Sequence, residues 1–147
     1  MKIKKRKHDA VFSKLVRERA NYCCEACGVN KRHETATLDC AHVMSRRSVW
    51  LRWHPKNAVS LCRGCHMFYT EHPFDWSDWC RENLGADLVA ELRLVSNQRV
   101  KWLPKVREDI YKHMKVELKC MNERRTKYDS KRLEFAQHDL MHDFEGG

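Results

Sequence analysis

Apolar residues between Val11 and Ala20 return at helical steps, with Val11, Phe12 and Leu15 beside Arg19, so the spacing predicts a short helix there. "TATLDCAHV" is rich in β-branched and apolar residues and predicts a strand ending at His42 or Val43. In "RSVWLRWHPKNAVSLC" the pattern reads as a return strand followed by a loop anchored by His54, Pro55 and Asn57. A helix then opens at Cys65, runs to Tyr69 or Thr70 and is ended by Pro73. Beyond Pro73 the texture is helical. Asp75 reads as the N-cap of "WSDWCRENL", with Gly85 as its stop. "ADLVAELRLVSN" gathers Leu88, Leu92 and Val95 on one side, and Pro104 suits the first turn of a longer helix. In that helix Val106, Ile110, Met114, Leu118 and Met121 form a stripe that packs on the core or on a second subunit. A weakly helical segment is expected over 131–144. The pattern is that of an α+β protein: strand, strand, helix, and then a helical extension.

Two cysteine pairs frame the strands, Cys24-x-x-Cys27 and Cys62-x-x-Cys65. Four thiolates in two such knuckles surround one tetrahedral Zn²⁺ and leave no open position for water, so the zinc is expected to be structural. It would contribute folding free energy outright, because the insert between the knuckles is too small to fold on its own core. Cys23, beside Cys24, is a substitute ligand by position, whereas Cys40, Cys80 and Cys120 read as small buried hydrophobes or ordinary thiols. The start "MKIKKRKHDA" is basic and lacks the apolar run of a signal peptide, and no stretch is apolar enough to cross a bilayer. The expected setting is therefore the cytoplasm, with reduced cysteines and no membrane.

A net charge of +9 over 147 residues directs attention to a polyanionic partner, most simply DNA. The chain divides into a basic flexible arm over 1–9, a zinc-stapled core over 10–75 and a helical extension over 76–147. His42 stands at the end of the predicted strand and His66 directly follows the last cysteine, with Asn57 a short apolar link before Cys62. One neutral imidazole as base and another on a divalent ion would activate water against a phosphodiester. His8, His33, His113, His138 and His142 read as ordinary structural or surface histidines. Arg46, Arg47, Arg52 and Arg63 surround the motif and would clamp phosphates on either side of the scissile bond. Trp50, Trp53, Trp76 and Trp79 are expected to pack the small motif against its extension.

"YCCEACG…LDCAHVMSRR…WHPKNAVSLCRGCH" resembles the zinc-containing branch of the HNH (ββα-metal, His-Me finger) endonucleases over residues 10–75. Its "AH-x-x-S-R" and "RWHP-x-N-A" text is similar to phage-type members, among them the NinG/Rap-like recombination group. The resemblance implies His42 as general base, His66 as ligand of a catalytic ion, and Asn57 as a residue that orients the loop and base or joins the metal site. It also implies cleavage to 3′-hydroxyl and 5′-phosphate ends. One departure stands out: many members carry Asp or His directly before the base, and this chain carries Ala41. Asp39, His72 and Glu71 are the candidates for the missing ligand, although strand alternation puts Asp39 on the face opposite His42.

The expected activity is metal-dependent endonucleolytic hydrolysis of double-stranded DNA, by nicking or double-strand cutting. Mg²⁺, Mn²⁺ and Ni²⁺ all suit the catalytic position. A dimer through the C-terminal helices would pair two sites and favour branched recombination DNA. The competing reading is a non-catalytic, zinc-stabilised DNA-binding module.

Overall fold

Asp9 sets where the first helix begins. Its carboxylate accepts the Arg6 amide at 2.7 Å, so α1 (Lys7–Arg19) opens four residues before Val11. The computed structural model describes residues 2–125, 131–141 and 143–144. The expected arm over 1–9 is thus shorter than the sequence suggests: Lys7 to Asp9 are helical, and His8 and Asp9 are buried. His8 stacks on Trp53 with ring centroids 4.4 Å apart. Two consecutive left-handed residues, Asn21 (φ 52°) and Tyr22 (φ 56°), turn the chain from α1 into the first cysteine knuckle.

The sheet has two antiparallel strands, β1 (Leu38–His42) and β2 (Ala58–Cys62), paired from Leu38 opposite Cys62 to His42 opposite Ala58. The return strand follows the 43–57 loop, where the sequence pattern placed it before. Within "SVWLRW" the Ser48 carbonyl accepts both the Leu51 and Arg52 amides, so this run folds into turns that bury Leu51 and Trp53. β2 is buried from Ala58 to Leu61 because α1 and α2 (Arg63–Glu71) cover it. The Cys62 sulfur caps α2 by accepting the Cys65 amide at 3.4 Å, which starts that helix two residues before Cys65.

After His72 the chain turns into α3 (Pro73–Leu84), then α4 (Ala86–Ser96) and α5 (Pro104–Arg124). Pro73 occupies the first turn of α3, which moves Asp75 from N-cap into the first turn. Gly85, at φ 99°, ends α3 in a conformation that a side chain would strain. Ile110, Met114 and Met121 of α5 pack on Phe12, Leu15 and Val16 of α1. The stripe that the sequence offered for a dimer is therefore used inside the chain. Leu88, Leu92 and Val95 of α4 close over Leu51 and Phe144. The described part of 131–144 holds no helix; it runs as an irregular strap pinned by Phe135, Met141 and Phe144, which are buried. Apolar anchors and the Leu133 amide bonded to the Arg19 carbonyl (3.1 Å) replace helical pairing there. Among the described residues no helix is long and apolar enough to cross a membrane.

Candidate functional site

The two knuckles are 35 residues apart in sequence and meet through Glu25. Its amide donates to the Ser60 carbonyl (2.8 Å), and its carboxylate accepts the Ser60 amide (2.7 Å). That clamp sets Cys24 and Cys27 against Cys62 and Cys65, with all four sulfurs within 4.8 Å of one another. The Cys27 and Cys62 sulfurs are 3.8 Å apart. A tetrahedral ion with bonds of about 2.3 Å has a sulfur–sulfur edge of about 3.8 Å, so the cluster is the size that Zn²⁺ requires. Amides of Cys27 and Cys65 point at the sulfurs three residues before them, at 3.5 and 3.4 Å. Burial opposes ionisation of Cys24, but the surrounding amides outweigh it and hold the thiol down to about 7. Cys23 is outside the cluster: its sulfur contacts the Asn21 carbonyl and the Asn30 amide instead. Cys40 and Cys80 are pushed up to about 12 by burial, which makes them unreactive packing residues.

Beside the cluster lies a cleft of about 530 Å³ along the outer edge of β1. His42, Asp39 and His66 all line it, with Asp9, Lys5 and Arg46. Strand alternation does place His42 and Asp39 on opposite faces: His42 packs on Phe12 of α1, ring centroids 5.8 Å apart, while Asp39 reaches His66 of α2. In a two-stranded sheet β1 is an edge, so side chains from both faces lean into one cleft.

The imidazole of His42 is fixed by the loop that follows it. Its Nε2–H donates to the Arg52 carbonyl at 2.9 Å. A carbonyl only accepts, so Nε2 carries the proton and Nδ1 keeps the lone pair. Burial lowers the pKa of His42, which leaves it neutral at pH 7. Asn57 is fully buried and holds that loop from within. Its amide nitrogen donates to the Met44 and Leu51 carbonyls, both at 3.0 Å, and its oxygen accepts the Met44 amide at 2.8 Å. Both N–H donors and the oxygen are used internally, so Asn57 holds the loop from within.

Asp39 Oδ2 and His66 Nδ1 are 3.0 Å apart. This is a hydrogen-bond distance; it is also the separation of two adjacent ligands on an octahedral ion with bonds of about 2.1 Å. Of the three candidates for the missing ligand, Asp39 is the one brought to His66. The His72 ring stacks on Phe68 and its Nδ1–H donates to the Phe68 carbonyl at 2.7 Å, and Glu71 lies exposed on the same turn. Ala41 is buried beside a small cavity of about 90 Å³ that His42 and His66 also border.

The four arginines have different positions. Arg46 lines the cleft and Arg47 is exposed nearby. Arg63 reaches the Ala36 carbonyl at 2.7 Å and passes 3.6 Å from Asp39. Arg52, expected to be a phosphate clamp, is turned inward: its guanidinium forks onto Asp9 at 2.9 and 2.7 Å and also donates to the Lys4 carbonyl at 2.7 Å. Trp53 donates to the same carboxylate at 2.9 Å. Asp9 was the residue the sequence reading missed. The single acid in a basic run was its signal, and only the fold reveals its partners. Trp76 and Trp79 stack at 5.5 Å against Tyr69 and join α3 to α2, and Trp50 meets Trp102 edge-on at 4.7 Å.

No protein family profile matches the chain, and no solved structure matches it. A stretch of 55 residues, 37% of the chain, is 43% identical to the Zorya protein ZorE of Escherichia coli. The chain spans only 14% of the length of that relative.

Proposed function

We propose that the chain is a metal-dependent DNA endonuclease of the HNH type, with a structural zinc in the four-cysteine cluster. The supporting observation is the cleft itself. It joins a neutral, carbonyl-anchored His42 to an Asp39–His66 pair at the spacing of adjacent ligands on an ion. Asp39 and His66 would hold the working ion, with water and phosphate oxygens completing its shell, as Mg²⁺ prefers. When bound, that ion supplies Lewis-acid stabilisation of charge on the phosphate. His42 accepts the proton of the attacking water at Nδ1, while the Arg52 carbonyl keeps the ring oriented. Arg46 and Lys5 at the rim draw the phosphodiester in.

The test is relaxation of supercoiled plasmid with Mg²⁺ or Mn²⁺ by wild type and by His42→Ala. The expected result is nicked or linear product from wild type and a loss of about 10²- to 10⁴-fold in the variant, with DNA binding retained. Binding without product from either would instead favour the non-catalytic zinc module, the reading that Ala41 supports, and equal cleavage by both would remove His42 from the role of base.

A further inference from the structure

A second concavity, of about 680 Å³, opens between the 2–6 arm, the 46–53 loop and the segment before α5. Lys4, Arg6, Arg46, Arg47, Lys101 and Arg107 line it, and no acidic side chain does so among the described residues. Arg52 also reaches its wall, with its charge matched by Asp9 beneath. The remaining lining is a further cation, Lys2, and the apolar Ile3, Val49, Val100, Trp53 and Trp102. Trp102 is held rigidly, because its indole N–H donates to the Val49 carbonyl at 3.0 Å. Arg46 lines both this pocket and the cleft that holds His42 and His66, so the two form one continuous surface.

Resting on the nuclease reading, we propose that this pocket receives an unpaired DNA strand that flanks the scissile phosphate, so the preferred substrate carries a single-stranded segment. Cations alone would suit any polyanion and are found on many solvated surfaces. Here they ring a concavity whose size lies among pockets that engulf small ligands, about 300–1,000 Å³. Duplex DNA presents a convex row of phosphates with its bases paired inside, so it would bridge the rim and leave the indole-bearing floor uncovered. An unpaired nucleotide offers phosphate to the rim and an apolar base face to the floor together. The join at Arg46 places such a strand in line with the cleft.

The measurement is fluorescence anisotropy of the full, zinc-loaded chain without added Mg²⁺ or Mn²⁺. The probes are a blunt labelled duplex and the same duplex with an unpaired tail of about six nucleotides. The tail is expected to tighten binding at least about tenfold. Lys101→Ala with Arg107→Ala should remove most of that gain and flatten the salt dependence by about 1.4 in log–log slope, at about 0.7 per phosphate contact on a single strand. The blunt duplex should be little affected. Lys101→Glu alone, at an exposed position, should act in the same direction if the double variant folds poorly, which its zinc content and melting midpoint reveal. A tail that adds no affinity, or a double variant that weakens both probes equally, overturns the proposal. Because the readout is binding, a protein that cuts nothing but prefers the tail loses only the nuclease reading. One that cuts plasmid but ignores the tail loses only the pocket.

Discussion

Asp9 takes three donors within 3 Å: the Arg6 amide, the Arg52 guanidinium and the Trp53 indole. Burial pushes its carboxyl up, but those donors outweigh it and hold the pKa at about 2, below the ordinary 3.8. Between those values the unfolded chain binds more protons than the folded one, so stability falls as pH falls through this window. The contribution, roughly 2 kcal/mol, is complete above pH 3.8 and lost near pH 2. Acid unfolding of Asp9→Asn should lack that component, as fluorescence-monitored titration will show. Arg52→Ala should be worse, costing about 3–5 kcal/mol in denaturant unfolding, since it strands a buried carboxylate. The same bond network explains why an arginine flanking the motif is turned inward: in the fold its partner, 43 residues away in sequence, is already beside it. Nothing in the local sequence around Arg52 records that partner.

At the scale of elements, the 43–57 loop is the part that spacing alone misread. Its apolar run suggested a strand, yet Ser48 and Asn57 supply hydrogen bonds that let the backbone fold into turns and still be buried. The cysteine knuckles, β1, the presence of α2 and the buried positions of α4 and α5 were legible, because each rests on a local periodicity or a fixed ligand spacing. The cleft was legible in its histidines but not in its shape, which arises from β1 being the edge of a two-stranded sheet. Asn57→Asp tests the loop directly. It sets a carboxylate oxygen against two carbonyls that now receive N–H groups, and about 3 kcal/mol or more of stability should be lost. Thermal melting should report that loss, and any residual cleavage should be slow because the Arg52 carbonyl no longer orients His42.

Across the whole molecule, the α1–α5 core and the core beneath the knuckles are separate clusters. Phe12, Leu15, Ile110 and Met121 build the first, and Cys24, Leu38, Val59 and Leu61 the second. A metal held by the four cysteines would therefore support the second core most directly. One zinc per chain is expected by elemental analysis, and its removal by a strong chelator should lower the melting midpoint by more than about 10 °C. The emission of Trp76 and Trp79, which pack on the second core, should change more than the helical signal carried by α1 and α5. An unchanged midpoint after complete zinc removal would mean that the four sulfurs are held by the fold alone.

The central claim is that Asp39 and His66, distinct from the cysteine cluster, hold the ion that supports phosphodiester cleavage. The direct measurement is the Mg²⁺ and Mn²⁺ dependence of single-turnover plasmid cleavage by wild type, Asp39→Ala and His66→Ala, each matched for bound zinc. The account predicts one zinc in all three, cleavage by wild type, and loss of both rate and ion affinity of about tenfold or more in each variant. Wild-type cleavage that needs no added ion, or variants that keep its rate and ion dependence, would contradict it.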